Sequence, residues 1–232
     1  MSKITALRTG RGQGNRINRL LEGKSAFGLD AEVTSKEGLK VGQAPSADRI
    51  EALTQSDHFH RYFKTAIQYL SYRPRSESEL RERLQRRGVN GALQEAIITK
   101  LKEQRLVDDI AFAQFWKDNR ESFSPRSRWL TKLELRRKGV ADDTIDQVVK
   151  AIDDDESAYR AAQNKAPSLA KSDYQGFRRR LGEYLKRRGF SYEVINHTIE
   201  QLWQEQKDSL VNLGNGLLLI KSISGKEVKQ CK

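Results

Sequence analysis

The stretch "LRRKGV", residues 135–140, places a leucine, three cations, a glycine and an apolar residue in a row, and near copies occur as "LQRRGV" at 84–89 and "LKRRGF" at 185–190. Recurrence at about 50 residues marks an internal repeat. Registered on Gly88, Gly139 and Gly189, the copies match beyond the hexamer: Leu84, Leu135 and Leu185 stand four residues before the glycine, and Leu80, Thr131 and Leu181 eight before. Ile98, Val149 and Ile199 follow it by ten residues, Leu101, Ile152 and Leu202 by thirteen. Spacings of three and four keep these residues on one helical face. Each unit therefore reads as helix, short turn, helix.

The hexamer closes the first helix of the pair. Glycine at C′ adopts the left-handed conformation of a Schellman motif, and an apolar C″ residue packs on C3. Gly139 then pairs Leu135 with Val140, and the same count pairs Leu84 with Val89 and Leu185 with Phe190. Start signals complement these stops: Ser76 with Glu79 forms a capping box, Ser124 precedes a first-turn Pro125, and Asp142 and Ser191 can cap the helices after the glycines. A further helix precedes each pair, at about 59–72, 109–120 and 154–164. The expected divisions are helical repeats at 58–107, 108–152 and 153–206, after a small β-rich region at 1–57 and before a tail at 207–232.

The N-terminal region differs in kind, holding seven of the sixteen glycines. There "RINRLLEGKSAFGL" reads as two short strands around a Glu22-Gly23 turn, with Arg19 interrupting the alternation, or alternatively as part of a disordered Gly-rich arm. The tail has no repeat partner and reads as an extension, a small hairpin at "GNG", or a flexible end.

Composition narrows the function. Of 232 residues 32% are charged and 37% hydrophobic, and the most apolar run, "LGNGLLLI" at 213–220, falls short of the roughly 20 residues a membrane span needs. The start "MSKITALRTG" lacks the apolar stretch of a secretory signal, so a cytoplasmic protein without a membrane role is expected. The single cysteine, Cys231, excludes an internal disulfide framework and a thiolate zinc cage. His58 and His60 in "HFH" lack further ligands nearby, and like His197 read as structural or surface residues. No cofactor or metal is expected. Paired acids such as Asp108-Asp109 and Asp153-Asp154-Asp155 sit at helix starts, where capping explains them. With no P-loop, dinucleotide fingerprint or zinc-protease motif, catalysis is not expected.

The net charge is +12, and its placement says more than its size. Segments 71–88, 126–139 and 176–189 carry +3, +5 and +5, so the remaining residues together are almost neutral. One cation in a last helical turn complements the macrodipole. Three in that turn, with others upstream, exceed that need. Either they are solvated helix surface or they form an anion-binding stripe. The candidates are Arg81, Arg83, Arg86 and Arg87 in the first repeat; Arg126, Arg128, Lys132, Arg136, Arg137 and Lys138 in the second; and Arg178, Arg179, Arg180, Lys186, Arg187 and Arg188 in the third.

The segments "YLSYRPRSESELRERLQRRGV", "LKEQRLVDDIAFAQFW" and "LELRRKGV" together resemble the RecX family, bacterial regulators of the RecA recombinase, over about residues 58–206. The N-terminal "LEGKSAFGLDAEV" is similar to the β-rich extension of longer members, although Arg19 stands where an apolar strand residue would be expected. The resemblance implies a mainly α fold, with three tandem three-helix repeats forming a curved array. It also implies a non-enzymatic monomer that binds the RecA filament on single-stranded DNA and modulates it, typically as an inhibitor, in DNA repair, recombination and the SOS response. Two other classes remain open: a direct DNA-binding regulator of helix-turn-helix type, and a scaffold that contacts protein alone. Against the former, the helices after the glycines carry Glu95, Asp142, Asp143 and Asp146, and Glu193 and Glu200, and the clustered cations precede the turn.

Overall fold

The computed structural model describes residues 3–9, 16–21 and 24–224. The chain forms two compact units, Met1–Phe112 and Ala113–Lys232.

The first unit opens with three antiparallel strands in the order β1 (Ile4–Thr9), β2 (Arg16–Leu21) and β3 (Lys24–Asp30). Arg19 pairs with Phe27, and the register slips between Arg19 and Leu20. The broken alternation therefore coincides with a bulge, where one extra residue re-phases the strand. The expected turn at Glu22-Gly23 lies outside the described residues. A short helix α1 (Ala31–Lys36) follows, its first turn closed by the Asp30 carboxylate, which accepts the Glu32 N–H at 3.0 Å. Leu29, Val33 and Leu53 form a small apolar cluster beneath it. The buried Asp57 carboxylate accepts the Asp30 N–H at 2.6 Å and so joins the strand end to helix α2 (Ala47–Leu70).

Helix α2 starts well before the expected residue 59. Ser46 caps it by accepting the Arg49 N–H at 3.2 Å. Its first half buries only Leu53 and Asp57, so the sequence there carries too thin an apolar stripe to announce a helix. Helices α3 (Glu77–Gln85) and α4 (Gly91–Glu103) pack on its second half around Leu80, Leu84, Val89, Ile97, Ile98 and Leu101. Helix α5 (Asp109–Phe123) begins in this unit, where the Asp109 carboxylate accepts the Glu77 N–H at the start of α3 at 2.8 Å.

The second unit holds the rest of α5, then α6 (Arg128–Arg137), α7 (Asp142–Val149), α8 (Asp154–Lys165), a 3-10 turn (Ala166–Leu169), α9 (Tyr174–Lys186) and α10 (Tyr192–Ser224). Phe177, Leu181, Leu185, Ile199 and Leu202 anchor the core of α8, α9 and α10. All three glycine turns close as the hexamer requires: φ is 79°, 75° and 83° at Gly88, Gly139 and Gly189. The Val89, Val140 and Phe190 N–H groups reach back to the Leu84, Leu135 and Leu185 carbonyls at 3.1, 3.2 and 3.5 Å. Every apolar repeat position named from the sequence is buried. Thr131 is buried too, and its hydroxyl finds no hydrogen-bond partner among the described residues.

Two capping expectations are corrected. Helix α6 is capped by Ser127, which accepts the Leu130 N–H at 3.1 Å, and not by Ser124. The cap of α7 is Ala141, because the Asp142 carboxylate is taken by Arg136. Ser76 and Ser191 do cap, accepting the Glu79 and Val194 N–H groups at 3.1 and 3.3 Å. At the other end α10 runs through Gly214 and Gly216, where a hairpin was one expectation. Each helical glycine costs about 1 kcal/mol. The surrounding leucines and isoleucine favour helix, and the backbone continues to Ser224.

Candidate anion-binding surface

The Schellman turn points its leucine and its C″ residue inward, leaving the residues between them on the outer side of each helix end. The cations named from the sequence fall into three groups once placed on the fold.

The first group is consumed by internal carboxylates. Arg81 on α3 bridges Glu77 at 2.7 Å and also clasps Glu95 on α4. Glu95 is thereby held below the usual carboxylate range by the Arg81 hydrogen bond, and the Arg81 guanidinium is raised in turn. Burial pushes Glu77 up, but Lys102 and Arg81 outweigh it and leave its carboxyl lowered. Arg86 pairs with Glu82 at 3.1 Å. In the second repeat Lys132 on α6 binds Asp146 on α7, and Arg136 binds Asp142 at 2.6 Å, lowering the Asp142 carboxyl. Arg126 binds Glu134, whose carboxylate also accepts from Trp116 Nε1 and Arg120 Nε, each at 2.8 Å. Arg128 differs in that its guanidinium meets no carboxylate: Nε donates to the Ile152 carbonyl at 3.2 Å, while the backbone N–H donates to Asp154 at 2.7 Å. Apart from Arg86, whose partner lies one turn back on its own helix, these cations tie neighbouring segments together.

The second group lies against aromatic faces. Arg83 sits 5.3 Å from the Tyr69 ring centre, Arg188 4.0 Å from Tyr184, and Lys138 5.1 Å from Trp116. Cation–π attraction of this kind fixes the side chain without neutralising it.

The third group is exposed and, among the described residues, has no ion pair: Arg87, Arg137, Arg179, Arg180, Lys186 and Arg187. Four of the six lie on or just after α9. Arg178 joins them, donating to the neutral Asn196 Oδ1 at 3.3 Å and bonding the Tyr174 hydroxyl, with no carboxylate of its own. The stripe expected over all three repeats is thus concentrated on the third.

Two grooves flank α9. One, of about 500 Å³ between α9 and α10, is lined by Arg178, Arg179, Lys186, Tyr192 and Asn196. The other, of about 560 Å³, lies between α9 and the 3-10 turn and offers Lys165, Arg179, Arg180 and Arg187. Glu183 is the one acid bordering both. The sequence reading missed the carboxylate partners, although a signal existed. Arg81 and Lys132 lie seven residues before the repeat glycine, and Glu95 and Asp146 seven after it. It also missed Glu134 as the acceptor for three donors, and Tyr192, which is 75% exposed beside the cations.

Among the described residues no cluster of His, Cys, Asp or Glu could hold a metal ion, and no helix is long and apolar enough to cross a membrane. Cys231 lies outside the described residues.

Tandem three-helix units with glycine-closed turns define the class: a helical-repeat protein. Comparison with known proteins gives the family. Residues 63–101 match the first three-helix domain of RecX, 108–149 the second, and 153–199 the third. A Bacillus velezensis protein named regulatory protein RecX is 30% identical over 211 residues, covering 90% of this chain and 80% of the relative. One of the same name from Clostridium botulinum is 28% identical over 207 residues, covering 87% and 96%. A crystal structure of regulatory protein RecX shares the fold with a TM-score of 0.62 at 23% identity, covering 86% of this chain and all of that one. RecX from Lactobacillus salivarius superposes with a TM-score of 0.54 at 24% identity, over 63% of this chain and 97% of its own. The chain belongs to the RecX family of regulatory proteins.

Proposed function

We propose that this chain is a non-enzymatic regulator that seats on the RecA filament formed on single-stranded DNA, and there restrains filament growth and RecA's ATP hydrolysis. The observation that carries the reading is the α9 surface, whose exposed cations lack internal carboxylate partners. Uncompensated charge on a rigid helix attracts a polyanion and accelerates encounter with it. Family membership supplies the direction toward RecA. The chain acts as a monomer in the cytoplasm, where RecA and its DNA are found, and contributes to repair, recombination and the SOS response.

A helix-turn-helix reading gains no such support. The helices after the glycines in the first two repeats present Glu95, Asp142 and Asp146 to cations of their own chain. A recognition helix needs basic or amide side chains turned to base edges.

The test is titration of the purified chain into RecA on single-stranded DNA, following ATP hydrolysis and filament length by electron microscopy. Hydrolysis and length should fall together as the chain is added, and replacing Arg179, Arg180 and Arg187 with Ala should weaken the effect. Unchanged hydrolysis and unchanged filaments at saturating chain would overturn the proposal.

A further inference from the structure

The third repeat lacks an ion pair that the first two possess, and a groove opens there. In the first repeat Arg81 on α3 meets Glu95 on α4; in the second Lys132 on α6 meets Asp146 on α7. The corresponding residues of the third are Gly182 on α9 and Asn196 on α10. A cation has become a hydrogen and a carboxylate an amide. A second pair changes likewise, since Arg136 and Asp142 of the second repeat correspond to Lys186 and Tyr192 of the third.

These exchanges have one combined effect. The α10 side of the groove loses both carboxylates, so Arg178, Arg179 and Lys186 face no acid across it, and Glu183 on α9 is the one carboxylate left in its lining. Gly182 leaves the groove floor without a side chain. A Cβ there would meet Ile199 and Ile195 at 3.7 and 3.8 Å, ordinary contact distances, so packing does not require glycine at this place. Its backbone is helical, where glycine is disfavoured by about 1 kcal/mol against alanine. Tyr192 stands at the groove with most of its surface in water.

We infer that the groove between α9 and α10 is a single-stranded nucleic-acid subsite, in which Arg178, Arg179 and Lys186 hold phosphates and a base stacks on Tyr192. Cations that track a backbone beside an aromatic stacking platform are the combination single strands require. An acidic protein surface would satisfy the cations but would leave the exposed ring unused. Asn196, which holds Arg178 toward the groove, also presents an amide able to meet a base edge. The inference deepens the proposed function by assigning the DNA contact to one repeat, yet it can be tested without RecA.

The probe is a fluorescent oligothymidylate, titrated with the full chain at several salt concentrations. G182R/N196E restores the kind of pair seen in the first repeat and should weaken binding at least tenfold, with circular dichroism unchanged and Tm equal to or above that of wild type. Y192A should weaken binding about fivefold or more while keeping the salt slope, because stacking releases no counterions. Replacing Arg178, Arg179 and Lys186 together with Ala should make the log–log salt slope shallower by about 2, at about 0.7 per phosphate on a single strand. Folded G182R/N196E that binds the oligonucleotide like wild type would overturn the inference. So would variants that lose only RecA-filament binding, since the groove would then belong to protein. Oligonucleotide binding that depends on the groove, without any effect of the chain on RecA, would instead uphold the inference while overturning the proposed function.

Discussion

The second and third repeats use nearly the same cationic hexamer for different ends. In "LRRKGV" the helix pair is drawn together by Lys132 with Asp146 and Arg136 with Asp142. In "LKRRGF" the residues at the corresponding positions are Asn196 and Tyr192, and Lys186 and Arg187 are exposed. Equal charge in a segment therefore does not mean equal charge offered to a partner. What separates the two is the residue on the following helix, one turn-length away across the glycine.

The largest effect should come from the turn of the third repeat. A Cβ on Gly189 would lie 2.7 Å from Ser127 Oγ and 2.8 Å from Leu130 Cβ, whereas one on Gly88 would meet nothing within 4 Å. The Ser127 N–H also donates to the Arg188 carbonyl at 3.0 Å, tying the start of α6 to this turn. Both glycines are left-handed, which costs another residue about 1–2 kcal/mol. Gly189→Ala adds steric overlap with backbone-near atoms and should destabilise by about 3 kcal/mol or more, against about 1 for Gly88→Ala. Urea denaturation of the two variants measures the difference. Equal losses would show that the close approach at Gly189 relaxes freely.

Next comes the acid that keeps the second repeat closed. Glu134 is 11% exposed and accepts from Trp116, Arg120 and Arg126. Burial, with Arg120 and Arg188 nearby, depresses the Arg126 guanidinium pKa, so the site is already crowded with cations. Glu134→Gln removes the compensating charge and should destabilise by about 2 kcal/mol, below the 3–5 of a fully buried pair because both arginines are partly solvated. Denaturation midpoints check this, and raised salt should recover part of the loss.

The fold was legible where one residue has one physical solution. Gly88, Gly139 and Gly189 end helices because their positive φ excludes most side chains, and the leucines four before them are buried in every copy. The early start of α2 was not legible, since a single buried Leu53 with a buried Asp57 one turn on does not make an apolar face. The cations were legible as a cluster but not as a site. Arg136 and Lys186 look alike in sequence until Asp142 and Tyr192 are placed opposite them. Reading the two helices in register across the glycine would have exposed that distinction, whereas segment charge alone concealed it.

A smaller effect concerns packing at the position eight before the glycine. Leu80 and Leu181 fill it with hydrocarbon, while Thr131 places there a buried hydroxyl without a partner among the described residues. Thr131→Val replaces that hydroxyl with a methyl of similar shape and should stabilise by about 1 kcal/mol. A raised Tm with unchanged oligonucleotide affinity would separate helix packing from the anion surface. A lowered Tm would mean that the hydroxyl is satisfied in solution.

Acid should dissolve the difference between the repeats by the smallest step. Glu95 and Asp142 are held below their ordinary values near 4.5 and 3.8, each first by its arginine hydrogen bond. A carboxyl lowered in the folded state stabilises the fold above its unfolded pKa, and that contribution is lost as pH falls through the lower folded value. These two pairs therefore contribute fully at neutral pH and fade below about pH 4.5 and 3.8, whereas Asn196 and Tyr192 contribute no such acid limb. Both carboxylates are solvent-exposed, so the slope should be shallow. Asp142→Asn should flatten the stability profile between pH 5 and 3 relative to wild type, while Asn196→Asp should steepen it by giving Arg178 a carboxylate. Urea midpoints across that window read both changes. If Asn196→Asp left the acid limb unchanged, Arg178 would not be close enough in solution to act as the cation of a restored pair.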